Sequence, residues 1–237
     1  MDFALLKRAG NRWHAAAVLS AAALALPVQA ADTQSRDKDL PAFTQVTVEI
    51  PAEVRIRQSG KSHVNVTAEP ALLEKIDVSV NGSVLKVAAR GSFSTQQPLV
   101  VEIDTRALKR LEMNAAGNVT VDGVRGDQLA VVAAGSGDVK LSNLNLKSLL
   151  IDSQASGTIT SSGRATQQEV RVGGSGAYQG EQTETERSVV DLSGAGNVTV
   201  WATKSLQAKV DGSGMLRYRG KPQVKQDIAG AGSIEQF

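Results

Sequence analysis

The chain has 237 residues, no cysteine and a formal net charge of +2, and only 3% of its residues are aromatic. The absence of cysteine excludes a disulfide framework and cysteine-based zinc sites. Residues 1–30 carry three basic residues and one acid, so the remainder is neutral. A neutral chain has no electrostatic footprint for nucleic acid, and no nucleic-acid partner is expected.

The first 30 residues have the pattern of a secretory signal peptide. Three basic residues precede an apolar run at residues 15–26, and Val28-Gln29-Ala30 supplies the small-residue cleavage pattern. We therefore predict cleavage after about Ala30 and a periplasmic or extracellular location. Neither this run nor any later one has the length of a membrane-spanning helix, so no transmembrane segment is expected in the mature chain.

The next two segments are less regular. Residues 31–42 are polar and charged, which predicts a short tether. Residues 43–110 contain several short runs of alternating apolar and polar residues, which is typical of strands. Asn81-Gly82 predicts a hairpin turn between two of these strands, and residues 70–75 predict one helical turn. We expect residues 43–110 to form the irregular N-terminal rungs and the cap of a repeat domain that spans residues 43–237.

A triplet of two small residues and a closing glycine recurs seven times in residues 111–237, at intervals of 18 to 20 residues. The closing glycines are Gly117, Gly137, Gly157, Gly176, Gly196, Gly214 and Gly232. This period is shorter than the roughly 33 residues of paired-helix repeats and the roughly 40 residues of a propeller blade. It predicts a solenoid in which the triplets bend the chain or pass close to a neighbour.

Residues between the triplets alternate strictly between apolar and polar. The position two residues after the closing glycine is occupied by Val119, Val139, Ile159, Tyr178, Val198, Leu216 and Ile234. Alternation of this kind predicts strands with one buried face. The fold class is therefore all-β, a single-stranded parallel β-helix with rungs of about 18–20 residues. A leucine-rich repeat is the competing architecture, and only residues 141–146 faintly resemble its consensus.

One outward column carries charge. It contains Glu112, Val132, Asp152, Arg171, Asp191, Lys209 and Asp227. The sign alternates at every rung from Asp152 onward, so opposite charges are expected to stack and attract weakly. Exposed ion pairs contribute little stability, so we interpret this column as a solvated scaffold rather than a binding site.

Few residues are candidates for catalysis, metal binding or ligand binding. His63 is the only histidine after the signal peptide, and in a polar run it is expected to be a surface residue rather than part of a catalytic triad. We expect no catalytic residue, no metal site and no cofactor. Trp201 is predicted to face outward and to stack near Arg219 and Phe237 of the following rungs. Trp201 and Arg219 are therefore weak ligand-binding candidates, in which the ring would serve as a sugar platform. The alternative is a surface cation–π pair that binds no ligand.

The tract Gly135-Ser136-Gly137-Asp138-Val139 and its repeats resemble the head GIN domain, a family of candidate auto-transporter adhesins. Residues 52–58, 82–87 and 108–113 follow the order of segments in that family, and the resemblance covers residues 43–237. It implies a right-handed β-helix outside the inner membrane, and it implies no catalytic residues.

These observations favour a secreted or periplasmic, non-catalytic β-helix that acts as a binding or adhesion module of the bacterial cell envelope. A glycan or an envelope protein is the expected partner. Two alternatives stay open: a structural envelope module that self-associates end to end, and a glycan-cleaving enzyme. The enzyme is the least favoured, because glycan cleavage uses clustered carboxylates and the outward carboxylates alternate with bases.

Overall fold

The computed structural model describes residues 33–237, and the predicted signal peptide at residues 1–30 lies outside this range. The strands are β1 Gln34–Asp39, β2 Gln45–Val48, β3 Glu53–Gln58, β4 His63–Ala68, β5 Ile76–Asn81, β6 Val84–Ala89, β7 Val100–Thr105, β8 Arg110–Met113, β9 Asn118–Asp122, β10 Arg125–Ala133, β11 Val139–Ser153, β12 Thr158–Val172, β13 Ala177–Leu192, β14 Asn197–Gly212, β15 Met215–Arg219, β16 Gln223–Gly230 and β17 Ser233–Gln236. The single described helix, α1, spans Pro70–Leu73, where a helical turn was predicted.

Each rung of the solenoid pairs in parallel with the rungs before and after it, which confirms the predicted parallel β-helix. The segments that precede the triplets form a first wall, which ends with β16. The segments that follow the triplets form a second wall, which ends with β15 and β17. Each of β11 to β14 runs from one triplet to the next. In β11, β12 and β13 the pairing register shifts partway along the strand.

The seven closing glycines lie in one column, as predicted. A Cβ atom on Gly137 would overlap the carbonyl oxygen of Gly117, and each later closing glycine has the same relation to the one before it. At the last rung, a Cβ on Gly232 would lie 2.6 Å from the carbonyl oxygen of Gly214. None of the seven has a left-handed φ. The close approach of two backbones, rather than backbone conformation, therefore excludes a side chain here.

The solenoid interior is filled by the predicted inward residues. Six members of the column two residues after the glycines are buried, and Ile234 on the last rung is half-buried. The column four residues before the glycines is buried from Met113 to Val210, but Ile228 on the last rung is 43% exposed. The apolar core is therefore continuous along the solenoid and opens at its C-terminal end.

A polar network lies inside this core around Tyr178. Its hydroxyl donates to Gln168 Oε1 at 3.1 Å and lies 2.8 Å from Ser161 Oγ. Gln168 Nε2 in turn donates to Ser188 Oγ at 2.9 Å. Burial raises the pKa of Tyr178, so the phenol stays protonated as a donor. The ring fits because Gly180, two residues along the strand, leaves its inward position empty.

The N-terminal end is closed by antiparallel strands. On the second wall β4 pairs antiparallel with β7, and on the first wall β5 pairs antiparallel with β6. The hairpin predicted at Asn81-Gly82 joins β5 to β6, and Gly82 has the left-handed φ of +60° that such a turn requires. The rungs here do not follow chain order. The rung formed by β2 and β3 lies between β6–β7 on one side and β8–β9 on the other.

Residues 31–42 were expected to be a polar tether, and the structure differs. Gln34–Asp39 form β1, an edge strand that pairs antiparallel with β4 over its whole length. All six side chains of β1 are exposed. Its place in the sheet depends on backbone hydrogen bonds, which leave no apolar pattern in the sequence.

Substitution of a closing glycine tests the column. We expect Gly137→Ala to lower the melting temperature clearly, because its Cβ would overlap the Gly117 carbonyl. Overpacking typically costs about 1–3 kcal/mol, and backbone on both sides leaves little room to relax. Ser136→Ala, at the exposed middle position of the same triplet, is the control and should stay within about 0.5 kcal/mol of wild type. Equal melting of the two variants would contradict close packing at the triplets.

A second pair of substitutions tests the inward and outward faces. Val139 is 1% exposed in an aliphatic column, so Val139→Asp should destabilise the fold by about 3–5 kcal/mol through an unpaired buried charge. Thr160 is partly exposed and in register with Lys140, so Thr160→Asp should change stability by less than about 1 kcal/mol. Denaturant unfolding measures both, and similar midpoints would show that the faces are assigned wrongly.

Candidate functional site

The two residues proposed from the sequence lie together on the second wall. Trp201 and Arg219 are in register on neighbouring rungs. The guanidinium carbon of Arg219 lies 4.2 Å from the centroid of the Trp201 ring, within cation–π distance. The strand alternation that turns Val200 inward also turns Trp201 outward, and the constant rung length sets Arg219 beside it.

A second stack lies beside the first. The guanidinium carbon of Arg217 is 4.6 Å from the centroid of the Phe237 ring. Phe237 follows Arg219 in the same column, so its ring reaches sideways to Arg217 rather than extending the first stack. We call Trp201, Arg217, Arg219 and Phe237 the arginine–aromatic patch. It occupies the C-terminal end of the second wall.

The side chains of the patch are at least partly exposed to solvent. Phe237 is 50% exposed, both arginines are exposed, and Trp201 is half-exposed. Glu235 is in register with Arg217, but neither arginine of the patch forms an ion pair within residues 33–237. A guanidinium held flat against a ring still presents its N–H groups at its edge, where a carboxylate can accept two of them. The patch therefore combines aromatic surface with two unpaired cations.

The residues of the predicted charge column are aligned on successive rungs, but their side chains do not form ion pairs with one another. Asp152, Arg171, Asp191, Lys209 and Asp227 are Cα partners on successive rungs. Arg171 nevertheless pairs with Glu169, two residues earlier on its own strand. No described pair of charges in this column lies within 4 Å. The column therefore contributes little local binding energy to the scaffold.

A cavity at the N-terminal end escaped the sequence analysis. It has a volume of about 230 Å³ and lies between β1, β4, α1 and β5. Its apolar lining comes from Val64, Val66, Leu73, Ile76 and Val78. Arg36 and Lys38 of β1 cross it and donate to the carbonyl oxygens of Leu73 and Val78, each at 2.9 Å. Because both are satisfied by backbone, we interpret them as part of the cap.

A match to a sequence family decides what kind of protein this is. The profile of the family described as "Putative auto-transporter adhesin, head GIN domain" matches residues 42–222. The chain belongs to the head GIN domain family. The resemblance seen in the sequence is thereby confirmed. No curated protein matches the sequence.

Solved structures share the fold of this head GIN domain. A putative adhesin from Bacteroides fragilis NCTC 9343 is 22% identical and aligns over 87% of this chain and 97% of its own, with a TM-score of 0.83. A putative lipid binding protein from Parabacteroides distasonis ATCC 8503 is 20% identical and aligns over 87% of this chain and 97% of its own, with a TM-score of 0.69. A putative adhesin from the same organism is 22% identical over 88% and 98%, also at 0.69. At these identities the likeness concerns the fold.

Within residues 33–237, no three His, Cys, Asp or Glu side chains are grouped to hold a metal ion. In the same part of the chain, no helix has the length and apolarity needed to span a membrane. The family and two of the three solved relatives are described as putative adhesins, and the third relative as a putative lipid binding protein.

His63 of the head GIN domain connects β4 to the edge strand β1. Its Nδ1 atom lies 2.8 Å from Asp39 Oδ1, and its Nε2 atom lies 3.0 Å from Asp37 Oδ1. Hydrogen bonds to Asp39 and then to Asp37 raise the pKa of His63. Asn65 Nδ2 also donates to Asp37, and this bond, followed by the one to His63, lowers the pKa of that carboxyl. Two carboxylate partners give His63 a positioning role in the cap.

The pKa of His63 makes the attachment of β1 depend on pH. A histidine with a raised pKa in the folded state adds stability that is fully present below its unfolded pKa of about 6.5. This stability is lost as the pH rises through the folded pKa. We therefore expect hydrogen-exchange protection factors of the β1 amides to fall as the pH rises above about 6.5, the ordinary pKa of histidine. In His63→Gln they should be lower and independent of pH, and a wild type that shows no pH dependence would contradict this role.

Proposed function

We propose that this chain is an exported, non-catalytic adhesion module of the bacterial cell envelope, and that it binds acidic glycans through the arginine–aromatic patch. Membership of the head GIN domain family and the solved adhesins of the same fold support an adhesion-like module. The signal-peptide pattern of residues 1–30 supports export. The patch supports the choice of ligand.

The observation that carries the proposal is the pairing of two aromatic rings, the exposed Phe237 and the half-buried Trp201, with two arginines that lack an acidic partner within residues 33–237. Sugars offer C–H faces that pack on aromatic rings, and uronic acids add a carboxylate that a guanidinium binds bidentately. Rungs stack about 4.8 Å apart, so Trp201, Arg219 and Phe237 extend over roughly 10 Å.

Geometry on the same wall favours binding over cleavage. Glu184 is in register with Trp201 on one side of the patch, and Glu235 lies on the last rung. These two carboxylates are three rungs apart, or about 14 Å at the strand spacing. Glycosidases hold their two carboxyl groups about 5–9.5 Å apart. Glu184 is also engaged with Arg164 at 3.6 Å. A lectin-like role therefore fits the patch better than hydrolysis.

Titration calorimetry with oligogalacturonate, compared with the neutral maltoheptaose, tests the proposal. We expect wild type to bind the acidic oligomer more tightly. Arg219→Ala should weaken that binding roughly 10- to 100-fold, the value of one charge-assisted contact. Trp201→Ala should weaken binding of both sugars. Arg219 is exposed and Trp201 is half-buried outside the core, so both variants should leave the melting temperature within a few degrees of wild type.

Arg125→Ala is the matched control, because Arg125 begins the same column, five rungs before Arg219, in a part of the column without an aromatic residue. It should bind oligogalacturonate as wild type does. Equal losses in Arg125→Ala and Arg219→Ala would indicate attraction by general charge and would contradict a site at the patch. Absence of binding by wild type would refute the acidic-glycan ligand.

A further inference from the structure

The C-terminal rung leaves an edge strand and part of the core uncovered. The strand β16 pairs with β14 on one side and with no described strand on the other. All eight of its residues are exposed. Val224 and Ile228, which occupy inward columns, are 38% and 43% exposed. A soluble solenoid usually covers such an end, because unpaired backbone groups and apolar side chains promote association.

The opposite end shows what a protected edge looks like in this protein. The outer strand β1 carries no apolar residue, and its sequence is Gln-Ser-Arg-Asp-Lys-Asp. Its charges blunt the second wall at that end. On the first wall the outer strand is β5, and Lys38 of β1 donates to its Val78 carbonyl. The two ends therefore differ, and a contact that joins the C-terminal end of one copy to the N-terminal end of the next is disfavoured. A contact between two C-terminal ends uses the uncovered surface on both sides.

The backbone of β16 is oriented for such a contact. The N–H of Ala231 donates to Gly212 of the preceding rung at 2.9 Å. Successive N–H groups of an extended strand point to opposite sides, so odd-numbered residues of β16 face β14. Val224, Gln226 and Ile228 therefore direct their N–H and C=O groups to the free edge. These three residues can form six hydrogen bonds with an antiparallel copy of themselves.

The side chains of β16 select one register for that copy. A two-fold axis perpendicular to the wall can pass through any residue of β16, because antiparallel strands alternate hydrogen-bonded and non-hydrogen-bonded pairs. Axes at Lys225 or Asp227 would set two bases or two acids opposite each other. An axis at Gln226 sets Lys225 opposite Asp227 of the second copy, twice, and Val224 opposite Ile228, twice. An axis at Val224 would set Lys225 opposite Gln223, and an axis at Ile228 would set Asp227 opposite Ala229. Only the axis at Gln226 pairs both charges with their opposites.

Gln226 itself fits a position on the axis. Its column is otherwise apolar and contains Leu111, Val131, Ile151, Val170, Val190 and Ala208. Two glutamine side chains that meet at a two-fold axis can donate to and accept from each other. Lys225 and Asp227 would form a pair without mutual backbone hydrogen bonds, whose Cα atoms are about 4.5 Å apart and whose side chains approach closely.

We propose that the protein forms a closed, two-fold symmetric dimer in which the β16 strands of two copies pair antiparallel about Gln226. The contact is isologous, so it uses the β16 edge of both copies and stops at two. It would join the first walls of two solenoids into one continuous sheet. This inference rests on the C-terminal edge alone and does not depend on the glycan proposed as ligand.

Charge reversal and charge exchange provide the test. Sedimentation velocity at rising concentration should show wild type passing from monomer to dimer and to nothing larger. Lys225→Asp sets two acids opposite each other, and Asp227→Lys sets two bases opposite each other, so each single variant should stay monomeric at concentrations where wild type is dimeric. The double variant Lys225→Asp/Asp227→Lys restores opposite charges in the same register and should recover the dimer. Lys147→Asp, which breaks the exposed pair of Lys147 with Asp127 far from this edge, should dimerise as wild type does.

Two further variants separate the contact from folding. Gln226→Pro removes only an N–H at the free edge, so it should keep the wild-type melting temperature of the monomer but abolish the dimer. The chain has no cysteine, so Gln226→Cys introduces a single thiol on the axis and should give a disulfide-linked dimer on mild oxidation. Gln179→Cys on the second wall should cross-link far more slowly. A monomeric wild type, growth beyond the dimer, or failure of the double variant to recover association would each refute the proposal.

Discussion

Contact between backbones at the triplets is the constraint on which the rest of the solenoid depends. The carbonyl oxygen of one closing glycine occupies the space that a Cβ on the next would need. Rungs can therefore approach to strand spacing at this corner only where side chains are absent. Once the glycines are stacked, the distance from the glycine decides whether a residue points inward or outward. A shift of one residue would turn each aliphatic column towards water, so register and core packing stabilise each other.

The interior of the solenoid includes a tyrosine and several polar residues among its aliphatic columns. Tyr178 lies in a column of aliphatic residues. Its ring fits there because Gly180 has no side chain to occupy the space beside it. Its hydroxyl can be buried because it forms hydrogen bonds with Ser161 on the same wall and with Gln168 on the first wall. A buried polar group without partners would cost more than the packing of its ring returns. Five of the seven buried polar residues in the described part of the chain form one connected set with Tyr178, whereas Ser153 is buried without a hydrogen-bond partner.

The sequence predicted the regular part of the fold because there the pattern repeats. The period near 20 and the alternation located the glycine column, the inward columns and the proximity of Trp201 to Arg219. The order of the N-terminal rungs could not be predicted, since β2–β3 lies between rungs that follow it in the chain, and long-range packing decides that order. The strand β1 was missed because an edge strand held by backbone hydrogen bonds needs no apolar residue. The charge column was predicted in register, but Arg171 has a flexible side chain and pairs with Glu169 instead.

The asymmetry between the two ends connects the scaffold to its proposed use. An antiparallel cap and a fully polar edge strand close the N-terminal end, whereas the C-terminal end carries both the uncovered edge β16 and the arginine–aromatic patch. A dimer closed through β16 would carry two copies of the patch in one rigid particle. Adhesion to a repeating glycan then gains from effective concentration, because the second patch binds a chain already held by the first. Weak single sites are sufficient for such a module, which agrees with a patch built from four surface side chains rather than from a deep pocket.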